Sequence, residues 1–416
     1  MLWLLAVCSI PANADINGSG GINAVDQRDK PYLILISIDG FGRDFQDLTD
    51  TPALDRIANS GVRADALVPV FPALTFPNHY SIATGLYPAN HGLVGNRFPS
   101  KDRRSYYSLR DRETVEDGSW YHGEPVWVAA EKSGLVSAAF FFVGTEADIG
   151  GVRLTYWNSF DESISGKRRV DQMLDWLAMP DDKRPHLLML YFEHVDTATH
   201  RGGPGSKRSI SSIKQVDGYI GRLLAGIDRL SIADDVYVVV VSDHGQAAVI
   251  SDAEPFVIDT VVNIDGLTVV NHGSVAFLYL PESDQQRAEA IAAAINNVWE
   301  HGKAMLRHET PASWHVTTDS GFADVIVQAN TGYTVYSSRD LWSHSSASIG
   351  DHGWAPETEE MHGIFLATGP RLPKEKRIPA INAVDVYPLL MEILGIPLES
   401  PIDGNPSTLP DLLIPR

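Results

Sequence analysis

The chain has 416 residues and a formal net charge of −20, from 33 lysines and arginines against 53 aspartates and glutamates. This acidic balance disfavours a nucleic-acid scaffold, whose binding surface needs an excess of basic side chains. Hydrophobic residues make up 44% and charged residues 21% of the chain, which is typical of a globular protein with a large core and excludes a disordered or membrane-embedded one.

The first ten residues, Met1–Ile10, are apolar, and the small-x-small sequence Ala12-Asn13-Ala14 follows them. The run is roughly half the length that spans a bilayer, so residues 1–14 are predicted to be a signal peptide, with no transmembrane segment in the mature chain. No Lys or Arg precedes the run, so the true start can lie upstream, and a buried N-terminal strand or helix is the alternative. The signal peptide predicts an exported protein, periplasmic or secreted. Because the only cysteine, Cys8, lies in this segment, we expect a mature chain without disulfides or a cysteine metal site.

Strand and helix patterns alternate along the rest of the chain. A polar, Gly- and Asn-rich stretch at residues 15–30 predicts a flexible arm. Beyond it, continuous apolar runs predict buried parallel strands at Tyr32–Ile38, Val136–Val143, His186–Phe192, Val236–Val241 and Gly363–Ala367. Amphipathic stretches predict helices at Pro52–Asn59, Val126–Ser133, Arg169–Leu177 and Ile210–Leu230. The alternation predicts an α/β fold, a sandwich of helices around a mostly parallel sheet.

The pattern changes over residues 257–345. Short strands at Ser274–Leu280 and Ala323–Gln328 flank an Ala-rich helix at Ser283–Trp299, and no cluster of chemically reactive side chains falls among them. We therefore predict an inserted cap subdomain at 257–345, with the catalytic core formed by residues 31–256 and 346–416.

Carboxylates and imidazoles follow three of the predicted strands. Asp39 follows the first strand, Asp196 and His200 follow the third, and Asp243-His244 follow the fourth. Ligands bind at the carboxyl edge of open α/β sheets, so these side chains can converge there. Asp and His are ligands of divalent metals such as zinc, which favours a two-metal site. Each residue alone is as readily explained as a helix cap or a turn residue, but their joint occurrence favours the metal site.

The segment Phe71–Pro77 places Thr75 at or beside the start of a helix, because Pro77 fits a first helical turn. A capping threonine is the simplest interpretation. A helix N-terminus also attracts anions, so a phosphate group can lie against Thr75. A hydroxyl group becomes an effective nucleophile when a metal lowers its pKa, and this combination indicates phosphoryl transfer.

These residues and the segments around them resemble the nucleotide pyrophosphatase/phosphodiesterase family of the alkaline phosphatase superfamily. The resemblance covers roughly Tyr32 to Pro370 and is carried by the motifs Ser37–Gly40, Phe71–His79, Tyr87–Asn96, Asp196–His200, Ser242–Gly245 and Asp351–Gly353. It implies an alkaline-phosphatase-like α/β/α sandwich, two Zn²⁺ ions and a phosphothreonine intermediate on Thr75. The ligand sets that it implies are Asp39, Thr75, Asp243 and His244 for one zinc, and Asp196, His200 and His352 for the other.

The resemblance also implies contacts with the substrate. Asn96 would donate its side-chain amide to a phosphate oxygen, helped by the backbone N–H of Phe76. Phe76, Phe160 and Tyr191 fall where the family stacks a nucleobase, and core packing is the alternative for these rings. No motif supplies the arginine and third-metal ligands that favour monoesters. The expected substrate is therefore a small nucleotide-type phosphodiester.

Several other charged or titratable residues have simpler interpretations. Five histidines are interpreted as structural or surface residues, namely His79, His91, His194, His344 and His362. The basic pair Arg103-Arg104 and the basic run Lys167-Arg168-Arg169 are interpreted as solvated faces.

Two other functions stay open beside a two-zinc phosphodiesterase or nucleotide pyrophosphatase. A phosphonoacetate-hydrolase-like enzyme of the same superfamily shares the threonine and similar ligands, but it needs basic residues to bind a small carboxylate. A non-catalytic, metal-bound binding protein is the alternative from another class, and the presence of the nucleophile with every ligand position argues against it. Sulfatase chemistry is disfavoured, because Thr75 rather than Cys or Ser stands at the nucleophile position.

Overall fold

The computed structural model describes residues 21–281, 284–317, 320–343 and 348–415, with only the backbone at 342 and 343. The predicted signal peptide at 1–14, residues 15–20 of the predicted arm and His344 lie outside these ranges. Residues 21–30 pack against the body of the protein. The buried Asn23 side chain donates to the carbonyl oxygens of Asp181 and Arg184, at 2.9 and 2.8 Å, and accepts from the Val136 N–H. This part of the chain is therefore anchored, which its polar composition did not indicate.

The described residues form twenty strands and eleven α-helices, joined by turns and short 3-10 segments. The strands are β1 Tyr32–Ile38, β2 Val62–Ala64, β3 Leu67–Val68, β4 Arg97–Pro99, β5 Tyr106–Ser108, β6 Ser137–Phe140, β7 Tyr156–Asn158, β8 Leu187–Phe192, β9 Val236–Val241, β10 Ala247–Ala248, β11 Phe256–Val257, β12 Thr268–Asn271, β13 Val275–Tyr279, β14 Gly302–Leu306, β15 Val325–Ala329, β16 Val335–Tyr336, β17 Gly350–Asp351, β18 Phe365–Thr368, β19 Lys376–Ile378 and β20 Ile381–Asn382. The helices are α1 Pro52–Asn59, α2 Thr75–Thr84, α3 Pro88–His91, α4 Arg112–Glu116, α5 Val126–Lys132, α6 Gly166–Leu177, α7 His194–Gly202, α8 Lys207–Ile227, α9 Gln285–Val298, α10 Ser338–Ser343 and α11 Val386–Leu394. Among the described helices, none has both the length and the apolar character needed to cross a lipid bilayer.

Eight strands form the main sheet, in the order β19-β2-β18-β9-β1-β8-β6-β7. The five strands from β9 to β7 are parallel, as the continuous apolar runs predict. The prediction for Gly363–Ala367 is wrong in direction, because β18 is antiparallel to β9. β18 starts opposite the end of β9, with Phe365 beside Val241, so the chain re-enters the sheet at the edge where β9 leaves it and runs back along its neighbour.

Both faces of the main sheet are covered, which makes the fold an α/β/α sandwich. All seven residues of β1 are buried, and they alternate between two hydrophobic clusters. Leu33 and Leu35 pack in the cluster that includes α2, α5 and α11. Ile34 and Ile36 pack in the cluster that includes α1, α6 and α8. The fold is thus the alkaline-phosphatase-like arrangement of a mostly parallel sheet between helices.

A second, antiparallel sheet of β12, β13, β15 and β14 lies in the segment predicted as an inserted cap. One face packs against α9, through residues such as Leu278 and Ile291. The other face, which carries Val275 and Phe277, belongs to the hydrophobic cluster that covers the main sheet. The segment therefore shares part of its core with the main body, and its boundaries at 257 and 345 stay a prediction.

Candidate active site

Three carboxylates, two of them buried and one partly buried, lie together at the carboxyl edge of the main sheet. β9, β1 and β8 are neighbours there, and each is followed closely by an aspartate, namely Asp243, Asp39 and Asp196. Two hydrogen bonds donated by backbone N–H groups join the three segments. The Asp196 N–H donates to the Asp39 carbonyl oxygen at 3.1 Å, and the Gly40 N–H donates to Asp243 Oδ1 at 3.1 Å. Parallel neighbours thus bring together residues about 200 positions apart in the sequence.

One group of ligand atoms consists of Asp196, His200 and His352. Asp196 and His200 lie one turn apart on α7, and His200 Nε2 is 3.3 Å from Asp196 Oδ1. His352 follows β17 and places its Nε2 3.9 Å from the same oxygen. Each imidazole uses Nδ1 to bind a backbone carbonyl oxygen, that of Gly350 for His200 at 2.8 Å and that of Ala73 for His352 at 2.9 Å. These bonds place the proton on Nδ1 and leave Nε2 as a ligand.

The second group consists of Asp39, Asp243 and His244, with Thr75 beside it. His244 Nε2 lies 3.6 Å from Asp39 Oδ1 and 3.0 Å from Asp243 Oδ2. His244 Nδ1 faces its neighbour's carbonyl oxygen at 3.0 Å, so Nε2 is again free to bind a cation. The rings of His244 and His352 stack with centroids 3.7 Å apart, which joins the two groups into one site.

The residues present fit a pair of divalent cations. Asp39 Oδ1 and Asp243 Oδ2 are buried without a hydrogen-bond partner, which is costly for an anionic oxygen unless a cation neutralises it. Two sets of three residues each place their ligand atoms within 4.8 Å of one another. The first set is Asp196, His200 and His352, and the second is Asp39, Asp196 and His244. Carboxylate oxygen and imidazole nitrogen are the donors that zinc accepts in catalytic sites. By distance, Asp196 is within reach of both groups.

The shifted pKa values of the carboxyl groups also favour a bound cation. Burial, then the charges of Asp243 and Asp196, raises the pKa of Asp39 well above its usual range. Burial of Asp196 is outweighed by His200 and the other histidines, which lower the pKa of that carboxyl to about 2. The imidazoles therefore do not fully offset the repulsion among the carboxylates of the cluster, and a bound cation would reduce it.

Thr75 is the first residue of α2, and the residue at the cap position is Leu74. Thr75 Oγ1 lies 3.4 Å from His244 Nε2, so the hydroxyl group points into the site rather than capping the helix as the simplest interpretation supposed.

Asn96 Oδ1 accepts the Phe76 N–H at 2.9 Å. This differs from the expectation that both groups face a phosphate. Asn96 satisfies one of the N–H groups left open at the helix start, and its own NH₂ group remains as the donor.

A cavity of about 400 Å³ opens over these groups and is lined by Asp39, Thr75 and Asp196 together with the three predicted aromatic residues, Phe76, Phe160 and Tyr191. Phe160 is 42% exposed, so core packing does not explain it. The Tyr191 hydroxyl donates to Asp39 Oδ2, a contact that the sequence did not indicate. The aromatic wall and the carboxylate cluster are therefore linked.

Two basic side chains line the same cavity and were not predicted from the sequence. Arg112 forms ion pairs with Glu116, at 2.7 Å, and with Glu146. Arg110 is exposed and has no ion-pair partner among the described residues. Arg110 thus supplies the cavity with a cation that can meet an anionic ligand.

Four of the five histidines interpreted as structural or surface residues lie among the described residues, and none of the four belongs to either ligand group. His79 has both ring nitrogens engaged, at 2.8 Å from Ser37 Oγ and from the Thr75 carbonyl oxygen, although its Nδ1 is also 3.3 Å from Asp243 Oδ2. His91 likewise has both nitrogens engaged within the α2–α3 junction. The carbonyl oxygen of Pro356 faces His362 Nε2 at 3.1 Å. His194 Nδ1 lies 3.7 Å from Glu193, outside either ligand group.

The interpretation of Arg169 as part of a solvated face is wrong. Its side chain is fully buried and forms a bidentate pair with Glu193, at 2.6 and 2.8 Å. It also donates to the carbonyl oxygens of Ile164 and Tyr191. The spacing of Arg169 from the apolar Met173 and Leu177 places it on the buried face of α6, and this was the signal available in the sequence. Arg103 is also paired, with Asp324 at 2.9 Å.

Known proteins share this fold over most of the chain. A family model described as type I phosphodiesterase / nucleotide pyrophosphatase matches residues 33–355. The bis(5'-adenosyl)-triphosphatase enpp4 of Xenopus laevis is 30% identical over 367 residues, which cover 88% of this chain and 78% of that protein. An ectonucleotide pyrophosphatase/phosphodiesterase of Caenorhabditis elegans is 30% identical over 382 residues, which cover 92% of this chain but 49% of that protein. The chain thus spans about half the length of the nematode relative.

A solved structure gives the same result. Murine ectonucleotide pyrophosphatase / phosphodiesterase 5 superimposes with a TM-score of 0.84 at 27% identity, covering 92% of this chain and 100% of that one. An inactive variant of the murine protein, with a threonine replaced by alanine, has been solved in complex with AMP. Fold, family model and relatives agree, and the chain belongs to the type I phosphodiesterase/nucleotide pyrophosphatase family of the alkaline phosphatase superfamily.

Proposed function

We propose that the protein is a metal-dependent phosphodiesterase/nucleotide pyrophosphatase that hydrolyses small nucleotide-type phosphodiesters, with Thr75 as nucleophile and two Zn²⁺ ions as cofactors. The observation that carries this proposal is the position of Thr75 Oγ1, 3.4 Å from His244 Nε2 and beside two groups of carboxylate and imidazole ligands. The frog relative's name and the AMP complex of the murine structure support a nucleotide substrate.

The proposed metal ligands are the residues of the two groups. One ion would be held by Asp39, Thr75, Asp243 and His244, and the other by Asp196, His200 and His352. Two bound cations would supply Lewis-acid stabilisation of the phosphate charge and lower the pKa of the attacking hydroxyl groups.

The proposed reaction has two steps, and both take place at Thr75, which lines the cavity. Thr75 Oγ1, having lost its proton to solvent, attacks phosphorus, and the bond from phosphorus to the leaving-group oxygen breaks as that oxygen takes up a proton. The product is a nucleotidyl ester of Thr75, the proposed phosphothreonine intermediate. Water then attacks the same phosphorus and loses a proton, the bond from phosphorus to Thr75 Oγ1 breaks as that oxygen takes up a proton, and the nucleoside monophosphate leaves. Two in-line displacements retain the configuration at phosphorus.

Other residues of the cavity bind and orient the substrate in this proposal. The Asn96 NH₂ group and the positive end of α2 stabilise the charge on the phosphate oxygens. Phe76, Phe160 and Tyr191 pack against the nucleobase. The Tyr191 hydroxyl, through its hydrogen bond to Asp39, keeps that carboxylate in place.

The first test compares initial rates on nitrophenyl thymidine 5'-monophosphate and on nitrophenyl phosphate, with and without a chelator. We expect the diester to be preferred by several orders of magnitude and chelation to abolish turnover. Acid quenching during turnover, followed by mass spectrometry, should find the nucleotidyl group on the peptide that contains Thr75. The proposal fails if zinc-loaded protein cleaves neither ester.

One observation favours a second candidate, a phosphonoacetate-hydrolase-like enzyme. Arg110 offers the cavity an unpaired cation of the kind that a small carboxylate needs. Arg112, however, is neutralised by two glutamates, and the aromatic lining suits a larger, flat group. Turnover of phosphonoacetate at a rate above that of the nucleotide diester would favour this alternative.

We also propose that the protein is exported, on the basis of the predicted signal peptide at residues 1–14. The expected mature chain begins after Ala14 and is periplasmic or secreted. N-terminal sequencing of the protein recovered from cell fractions tests this, and a chain that retains Met1 in the cytoplasmic fraction would contradict it.

A further inference from the structure

Gln246 makes a contact that the proposed reaction does not use. Its side chain is 3% exposed, and its Nε2 donates to Asp196 Oδ1 and, at 3.2 Å, to the Asp196 backbone oxygen. Both partners are acceptors only, so the amide orientation is fixed with NH₂ toward Asp196. Asp196 Oδ1 is also the oxygen that faces His200 Nε2 and His352 Nε2. Gln246 therefore holds the carboxylate at the centre of one ligand group.

The fold keeps room for this contact. Gly40 has φ +65°, and a Cβ atom there would come within 2.8 Å of Gln246 Nε2 and 2.9 Å of Asp196 Cα. The Gly40 N–H donates to Asp243 Oδ1, in the other ligand group. The Gln246 amide thus lies between the segments that carry the two groups.

Stability alone does not explain a glutamine at this position. Gln246 Oε1 is buried and has no hydrogen-bond partner among the described residues. A buried acceptor without a donor destabilises the folded state, and a methionine of similar length would fill the space without that cost. The polar side chain is therefore better explained by what its NH₂ group does to Asp196.

We propose that Gln246 is a positioning residue for the cation site of Asp196, His200 and His352. Its two hydrogen bonds hold the Asp196 carboxylate against rotation in the orientation that faces the two imidazoles. This inference rests on the metal sites of the proposed function but not on its catalytic activity. Residues that orient a ligand in this way commonly change metal affinity by about 10- to 100-fold when they are replaced.

The experiment measures zinc binding by competition with a chromophoric chelator in the wild type and in Gln246→Met. We expect the affinity for one of the two zinc ions to fall by about 10- to 100-fold, with the other unchanged. In the metal-free state the variant should be close to the wild type in thermal stability, because removal of the unpaired Oε1 offsets the loss of the two hydrogen bonds to Asp196. Cobalt substitution should show an altered visible spectrum for one ion.

Gln46→Met is the matched control. Gln46 is also buried, donates to an aspartate, Asp55, and has an unpartnered Oε1, but Asp55 belongs to neither ligand group. Its replacement should leave the affinity for both zinc ions unchanged.

The outcomes separate this inference from the proposed function. The inference is overturned if Gln246→Met binds both zinc ions with the same affinities as the wild type. It is also overturned if the variant weakens the affinity for both ions equally and is less stable without metal. If the variant weakens one ion and the wild type cleaves no diester, the positioning role stands and the proposed function fails. If the wild type binds no divalent cation, both fail.

Discussion

The hydroxyl group of Thr75 is the proposed nucleophile of the site. Thr75→Ala should lower kcat on a nitrophenyl nucleotide diester by on the order of 10³ or more, because no hydroxyl group then lies beside His244. Thr75→Ser keeps an oxygen and should retain measurable turnover. Steady-state kinetics measure both, with thermal unfolding as a check that the fold is intact. A kcat for the alanine variant within tenfold of wild type would rule out Thr75 as nucleophile.

At the scale of one helix, α6 carries a buried cation that supports the cavity wall. Arg169 is fully buried and its partner Glu193, which lines the cavity, is 15% exposed. Arg169→Met should lower the free energy of unfolding by about 3 kcal/mol, because it leaves Glu193 without its charge partner and removes two hydrogen bonds to carbonyl oxygens. Urea denaturation measures the change. Arg168→Met, at an exposed position next to it, should change stability by less than about 0.5 kcal/mol.

The junction of α2 and α3 predicts a pH dependence. His91 is buried, accepts the Leu93 N–H at Nδ1 and contacts Ser81 Oγ through Nε2, and burial lowers its pKa to about 3. The unfolded histidine, with a pKa near 6.5, binds a proton before the folded one does. Stability is therefore present above pH 6.5 and falls as the pH drops toward 3, by about 2 kcal/mol between pH 7 and pH 5.

The variant His91→Asn keeps an acceptor near the Leu93 N–H but does not titrate. Denaturation at pH 7 and pH 5 should show that it loses about 2 kcal/mol less than the wild type over this interval. His308→Asn, at an exposed position, should behave as the wild type does. If His91→Asn and the wild type lose stability equally, His91 is not the group that titrates.

At the scale of the whole molecule, the proposed metal site joins three segments that are distant in the sequence, so a bound cation should raise the free energy of unfolding. Zinc at 100 times its Kd should stabilise the protein by about 2.7 kcal/mol per site. Asp39→Asn removes one of three crowded carboxylates, so the metal-free variant should be more stable than the wild type at pH 7 but gain less from zinc. Thermal unfolding with zinc and with a chelator measures both, and a variant that gains as much from zinc as the wild type does would contradict the assignment of Asp39.

Local signals were enough to predict five of the eight strands of the main sheet, several of the helices that cover it, and the edge that carries the candidate ligands. Apolar runs predicted these five strands to within three residues, and carboxylates and imidazoles after three of the runs marked the edge where the candidate ligands meet. The direction of β18 and the anchoring of Asn23 depend on partners elsewhere in the chain, which a local pattern does not encode. The Tyr191–Asp39 hydrogen bond joins residues 152 positions apart, and the Gln246–Asp196 bond joins residues 50 positions apart. Tertiary packing decides such contacts.

The position of His352 has a consequence for biosynthesis. His352 comes more than 300 positions after Asp39, and it is held in place by the Ala73 carbonyl oxygen, 279 positions before it. All four strands of the second sheet lie in the sequence between Asp39 and His352, so they are synthesised before His352. A growing chain therefore cannot complete the proposed cation site that uses His352 until most of its length has been synthesised, so in the proposed function the second cation would bind only to a nearly finished protein.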